Sequence, residues 1–315
     1  LKENSRKQWQ NLLRKSDYNG DEQRLLRDVM DAIREKIEAS ANVAIFLNKN
    51  RTITFGGETL QLIYVSGTEL RGDEDFKKNI FSAVEEMTYS FHHEGKKVFA
   101  FRPDLSFFIN GIFLGYAELK SNFTNQTART NGRNKVTTDY LEAVWEYTKI
   151  ANGNDVSQTL RRRMLRPFEK SIHLVTTDIN NTFVLRNPAQ FFDEAKKGFQ
   201  DSTISISSYR PIVEEVFKPL PTVAGEEADP RLRFEEAMHS IYSKKMIEKE
   251  ILYYNFMAYT YKTVTVKENG RKVQKKEYKD KTGRLICPRP KQKFGCDRII
   301  DRVQEFLDHE HEPNY

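Results

Sequence analysis

The sequence predicts an α/β chain built on a mixed sheet flanked by helices, and three observations carry that expectation. Apolar residues recur at helical spacing in the N-terminal stretches. Short β-rich runs separated by polar turns then fill the middle of the chain. A further helical stretch divides those runs from two more strands.

Residues 4–15 and 21–40 read as helices. In the second, Leu26, Val29, Ile33 and Ile37 recur at helical spacing behind Asp21, a good N-cap type. From 43 to 66 the stretch "NVAIFLNKNRTITFGGETLQLIYVSG" has β character, broken by "NKN" and "GG" turns. Asp73 to Phe91 reads as a helix with Phe76, Ile80, Val84 and Met87 on one face. "KKVFAF" and "RPDLSFFINGIFLGYAELKS" follow as strands, the latter folded at Asn110-Gly111. After the polar loop "NFTNQTARTNGRN" comes a helix from Thr138 to Ile150, opened by Thr137 or Thr138. "SIHLVTTD" and "NTFVLRN" are two more strands joined at "INN". Past residue 200, "YRPIVEEVFKPLPTVAGEEADPR" reads as a connection. A helix from Arg231 to Tyr261, a basic segment and an amphipathic helix from Gly295 to Leu307 complete the order. The expected organisation is a first domain over 1–200, a linker and helical connection over 201–285, and the start of another domain over 286–315.

A chain of 315 residues with 38% hydrophobic content can hold one large core or two ordinary ones. No run nears the roughly 18 apolar residues of a membrane helix. "LKENSRKQWQ" is too polar for a secretory signal, and two cysteines suit the reducing cytoplasm. A start at Leu1 suggests a fragment or a processed product. The net charge of +6 is unevenly spread. Residues 262–298 hold 13 Lys/Arg against 4 Asp/Glu, leaving 38 basic and 41 acidic residues elsewhere. Such a block attracts polyanions, although a solvated linker carries the same charge.

The chemistry-bearing stretch is Arg102 to Ser121. A lone Glu-x-Lys triplet is common on exposed strands. Here Glu118-Leu119-Lys120 closes a hairpin that Asp104 opens. Period-2 alternation puts Glu118 and Lys120 on one face, with Leu119 directed into the core. Two carboxylates and the Leu119 carbonyl make a hard oxygen site suited to Mg²⁺, and a neighbouring ammonium could orient a water, a workable set for phosphodiester hydrolysis. A strict two-residue turn pairs Asp104 with Ala117, on the wrong face. The chemistry therefore requires one extra residue, as a Gly-bulged loop or a bulge within a strand, to bring Asp104 opposite Glu118.

Other signals are weaker. His92-His93, His309 and His311 read as solvated, and His173 as a core histidine. Residues 17–22 resemble the start of a calcium loop without its full ligand spacing. Phe107, Phe108, Phe113 and Tyr116 read as core packing. Arg161, Arg162, Arg163 and Arg166 form either a solvated cluster or a phosphate contact.

At Arg102-Pro103-Asp104, Asn110-Gly111 and Glu118-Leu119-Lys120, the sequence resembles the PD-(D/E)xK nuclease superfamily. More narrowly, it is similar to the N-terminal nuclease region of the motor (R) subunit of type I restriction endonucleases. Arg289-Pro290-Lys291-Gln292 and the helix after it are similar to the opening of a superfamily 2 motor in that family, and the likeness spans about residues 73–310. The resemblance implies a restriction-endonuclease-like fold over 1–200 and the first helix of a helicase-like motor over 286–315. It implies a Mg²⁺-dependent endonuclease, with Mn²⁺ as substitute, in which Asp104, Glu118 and the Leu119 carbonyl hold metal and Lys120 positions the attacking water. Double-stranded DNA would lie along Arg133, Lys135, Tyr140, Arg161, Arg162 and Arg163. Gln292 would read ATP in a full-length motor. The chain lacks a P-loop, so by itself it is expected neither to hydrolyse ATP nor to translocate. Modification and specificity subunits are the implied partners, and the cytoplasm the implied location. Two features depart from the family pattern. Val136 stands where a glutamine precedes the tyrosine at Tyr140, and Asn131, Arg133, Asn134 or Lys135 would have to substitute for it. A further acidic ligand would come from Glu22, Glu85 or Glu86. The competing reading is a module with inert carboxylates that binds nucleic acid or partner proteins through its basic C-terminal segment.

Overall fold

In a computed structural model of the protein, residues 1–66, 73–93, 95–150, 154–193, 213, 217–221, 229–268, 271–279 and 283–308 are described. Most of the expected connection over 209–231, and His309 and His311, lie outside them.

Helix α1 (Arg6–Leu13) and helix α2 (Glu22–Glu38) form as expected. The Asp21 side chain caps α2 by accepting from Arg24 N–H at 3.0 Å. Leu25, not Leu26, joins Val29 and Ile33 in the core, while Leu26 is exposed. The next stretch departs from expectation. Val43–Lys49 is helix α3, not strand, because Asn42 caps it through Ile45 N–H and its apolar residues are buried all round. β1 (Thr52–Phe55) and β2 (Glu58–Gln61) then pair across the Gly-Gly turn.

The helix expected over Asp73–Phe91 lasts only through α4 (Asp73–Lys77). β3 (Phe81–Glu85) and β4 (Tyr89–His93) replace the rest, and β5 (Lys96–Phe101) is the strand expected at "KKVFAF". β3 is an edge strand bonded on one side to β6 (Leu105–Ile109), so Ile80 beside it and Val84 in it stay exposed and their helical spacing is coincidental. β6 pairs antiparallel with β7 (Ile112–Leu119). An irregular turn over 128–132 and a short α5 (Arg133–Val136) replace the expected loop. They lead into α6 (Thr138–Ile150) and α7 (Asn154–Glu169). β8 (His173–Thr177) returns parallel to β7, and β9 (Thr182–Leu185) and β10 (Phe217–Pro219) extend the sheet.

The six strands lie in the order β10-β9-β8-β7-β6-β3, one parallel contact among antiparallel ones, which gives the mixed sheet. On one face, Tyr116, Leu174 and Leu185 pack with Tyr140, Leu141, Val144, Leu165 and Phe168 of α6 and α7. On the other, Ala117, Val175 and Val184 pack with Ile241. Phe107 stacks on Tyr242 at 3.6 Å, a core role as expected. The N-terminal helices share a third cluster with Ile109, Ile112 and Leu114 at the turn end of the β6–β7 hairpin.

A single helix was expected over Arg231–Tyr261. Two form, Pro230–Tyr242 and Lys244–Leu252, because Ser243 ends the first with extended backbone and caps the second. Ile247 and Ile251 join the N-terminal cluster, so this part of the chain is built into the folded body. The basic stretch is not a loop. β11 (Phe256–Ala258) precedes it, within the span expected as helix, and the stretch itself is built from β12 (Tyr261–Glu268), β13 (Arg271–Tyr278) and β14 (Arg284–Ile286). The last helix begins at Pro290, earlier than the expected Gly295, and runs to Asp308. Among the described residues no helix is long and apolar enough to cross a membrane.

His173 is buried in β8 with its Nε2 unpartnered, 5.1 Å from the Tyr242 ring. Burial, reinforced by the Arg186 and Lys293 cations, pushes its pKa down to about 3. The folded state thus holds it neutral, while the unfolded chain takes up a proton below about pH 6.5. The resulting stability is present above that pH and is lost as pH falls towards 3, by roughly 5 kcal/mol over the window. Urea midpoints measured from pH 7 to 4 should fall more steeply for the wild type than for His173→Gln.

Candidate active site

The hairpin turn is the strict two-residue type. Asn110 and Gly111 both have positive φ, 50° and 82°, and Ile109 pairs with Ile112. Asn110 is buried and pins the turn, accepting from Ile80 N–H and donating to the Leu62 carbonyl, both at 2.8 Å. The extra residue that the chemistry required sits inside the strand. Phe108 pairs with Phe113 but Phe107 pairs with Gly115, leaving Leu114 as a bulge. Beyond it, Ser106 meets Tyr116 and Leu105 meets Ala117, so Asp104 comes opposite Glu118. The side-chain faces change accordingly. Phe113 and Tyr116, three residues apart, pack against the same α7 cluster.

Asp104 is half-buried at the entrance to β6, and its Oδ2 accepts from Leu119 N–H at 2.6 Å. Glu118 is fully buried. Its Oε1 accepts from Lys120 Nζ at 2.7 Å and from Lys135 Nζ, while Oε2 is buried without a partner. The Lys120 side chain is 8% exposed and that of Lys135 38%. Leu119, expected in the core, is exposed instead. The apolar cluster on its face reaches Ala117 and stops there, whereas the turn over 128–132 and α5 cover the Glu118 side.

Lys135 arrives through that turn. The turn is anchored by Asp178, whose Oδ2 accepts from Ala128 N–H at 2.8 Å. Gly132 lies so close to β8 that a Cβ there would meet Thr176 Oγ1 at 1.8 Å and Lys120 Cγ at 3.3 Å. Thr176 is the register partner of Glu118 on β8. Only glycine permits this approach, which sets Lys135 against a carboxylate 17 residues earlier in the chain.

The remaining expected site residues are not gathered here. Tyr140, expected at the DNA backbone, is 2% exposed, and its hydroxyl donates to the Met164 carbonyl at 2.5 Å. It is a core residue, packed on Phe101 and Phe168. Val136 is buried in the same cluster. The Arg133 guanidinium lies over the Phe183 ring at 4.8 Å and bonds the Arg129 carbonyl. Arg163 is exposed, but it lines a cavity of about 820 Å³ with Arg34, Phe108 and Gly111. That cavity is at the turn end of the hairpin, about 20 Å along the strands from Glu118. The side chains of Arg161 and Arg162 lie outside the described residues. Glu85 ends β3, paired with Leu105, and Glu86 follows it beside Asp104, its N–H donating to the Asp104 carbonyl at 2.9 Å. Glu22 is instead bound to Trp9 and Lys2 in the N-terminal helices. Among the described residues no three acidic, histidine or cysteine side chains cluster, so the centre is two carboxylates and two lysines. Gln292 is exposed and accepts from Arg289 N–H at 2.8 Å.

The donor set fits a hard divalent cation: two carboxylates from facing strand ends, and one buried carboxylate oxygen with nothing bonded to it. Burial without a partner is costly for such an oxygen, and a cation would satisfy it.

Among known proteins, no curated protein and no solved structure matches this chain. A family model does, that of the type I restriction enzyme R protein N terminus, over residues 1–156. The matched span includes the first 70 residues, where the motifs alone gave little likeness, and ends well short of 310.

Proposed function

Residues 1–156 belong to the N-terminal family of type I restriction enzyme R proteins, and on that premise we propose that Asp104, Glu118 and Lys120 form the Mg²⁺-dependent centre of a DNA endonuclease of the PD-(D/E)xK type. The observation that carries the reading is the bulge at Leu114. It places Asp104 in register with a buried Glu118 whose second oxygen lacks a partner.

Asp104, Glu118 and the Leu119 carbonyl would hold the ion. When bound, Mg²⁺ supplies a Lewis acid for the scissile phosphate and a water of lowered pKa. The chain's own groups do the rest. Lys120 reaches the same carboxylate and is placed to orient the attacking water and to offset charge on the phosphate. Lys135 holds Glu118 from the other side and keeps that carboxylate compensated while no ion is present. Its half-exposed ammonium faces solvent where a DNA backbone would approach. The exposed basic C-terminal segment favours a second, compatible reading as a nucleic-acid contact. Double-stranded DNA, modification and specificity subunits, and a motor that begins near Gln292 complete the proposal.

Divalent binding tests the centre without requiring turnover. Millimolar Mn²⁺ should raise the melting temperature of the wild-type chain and leave that of Glu118→Gln unchanged. Equal shifts in both proteins would remove the metal from Glu118.

A further inference from the structure

We propose that the β12–β13 ribbon is an arm that docks on double-stranded DNA through one of its two faces. Register assigns the faces. Tyr261 pairs with Tyr278, Thr263 with Lys276, Thr265 with Gln274 and Lys267 with Lys272, and these pairs share one side. That side carries three lysines, three neutral hydrogen-bonding residues and a tyrosine pair with ring centroids 4.8 Å apart, and no acid. The opposite side carries Val264, Val266 and Val273. Its Lys262 is ion-paired to Glu277.

Two observations point to a polyanion on the first face. Every described residue of β13 is exposed, and β12 has only Val264 and Val266 half-buried, so this eight-pair ribbon projects with little packed against it. A two-stranded ribbon is marginal in water by itself, and covering one side would stabilise it. Lys267 and Lys272 also stand directly opposite one another, a destabilising cross-strand pair. A phosphate backbone between them converts that repulsion into attraction. A ribbon of these dimensions fits the major groove of a duplex, and its cations, hydroxyls and amide are the groups that bind phosphates and base edges. An acidic protein surface would also suit the lysines, but the unbroken run of threonine and glutamine donors favours nucleic acid. The proposal does not depend on the Glu118 centre.

Two variants of the full chain separate this arm from general electrostatic attraction, because each removes three positive charges from the same ribbon. One is Lys267→Gln/Lys272→Gln/Lys276→Gln, and the other is Lys262→Gln/Arg271→Gln/Lys275→Gln. Binding of a short fluorescent duplex is followed by anisotropy across a NaCl series in EDTA, so that no divalent ion takes part. The first variant should bind at least about tenfold more weakly, with the salt slope reduced by about 2.7. The second should stay within about twofold of wild type, and unchanged circular dichroism in both confirms the fold. Equal losses in the two variants, or an unaltered first variant, would overturn the proposal.

Discussion

Lys120→Met is expected to lower Mg²⁺-dependent phosphodiester cleavage by about 10²- to 10⁴-fold, the usual contribution of one positioned group in proton transfer, while leaving Mn²⁺ binding intact. Glu118→Gln is expected to remove both. The difference follows from geometry. Lys120 is not a ligand in the proposed site, and Lys135 continues to compensate Glu118 when Lys120 is gone. Replacing Glu118 leaves the nearly buried Lys120 ammonium without its carboxylate, a loss of about 3 kcal/mol. The share from Lys135 is smaller because that side chain reaches solvent. Glu118→Gln must therefore be assayed below its own melting temperature. Cleavage is read in the assembled complex and ion binding by calorimetry on the chain itself. If Lys120→Met abolished ion binding, or Glu118→Gln still cleaved, the roles assigned here would be wrong.

Glu250→Ala is expected to destabilise the chain by about 3–5 kcal/mol, the cost of stripping a buried cation of its partner. Glu250 Oε2 accepts from Arg186 at 2.5 Å and from Asn255 at 3.2 Å, and both charged side chains are less than 10% exposed. The network extends further. Asn42, which caps α3, donates to Asn255 Oδ1 at 2.8 Å, and the Cys287 thiol donates to the same oxygen at 3.1 Å. Four parts of the chain, far apart in sequence, therefore meet in one network around Glu250 and Asn255. Urea unfolding at pH 7 measures the loss. Arg186→Met/Glu250→Met should recover most of it, since an apolar pair needs no counter-charge. A double variant as unstable as the single one would mean that the network's value lies elsewhere.

The hairpin and the meeting of Asp104 with Glu118 are legible in the sequence because their constraints are local. Asn-Gly fixes a turn, period two fixes faces, and counting from one to the other demands the bulge. Long-range contacts left no such trace. Nothing near Lys135 in sequence points to Glu118; a glycine able to touch β8 puts them together. Tyr140 has the spacing of a family tyrosine, but the destination of a hydroxyl is a property of packing. Leu119 was assigned inward by alternation alone, which says which residues share a side but not which side is covered. Val43–Lys49 and Phe81–Glu85 show the ambiguity of short apolar runs: a buried helix capped by asparagine and an edge strand with an exposed flank each imitate the other's pattern. The ribbon was hidden by its charge, since the lysines that flank Thr263-Val264-Thr265-Val266 read as a solvated loop until the pairing is seen.

Leu114 is the one residue of β7 that the ladder with β6 passes over. Removing it would close that ladder into a regular one, in which Phe107 still meets Gly115 and Leu105 still meets Ala117, so Asp104 would still face Glu118. A residue added between Gly115 and Glu118 would instead bring Ala117 opposite Asp104 and turn Glu118 to the other side. Shortening at the bulge should therefore be tolerated and lengthening beyond it punished, a contrast that two length variants would expose.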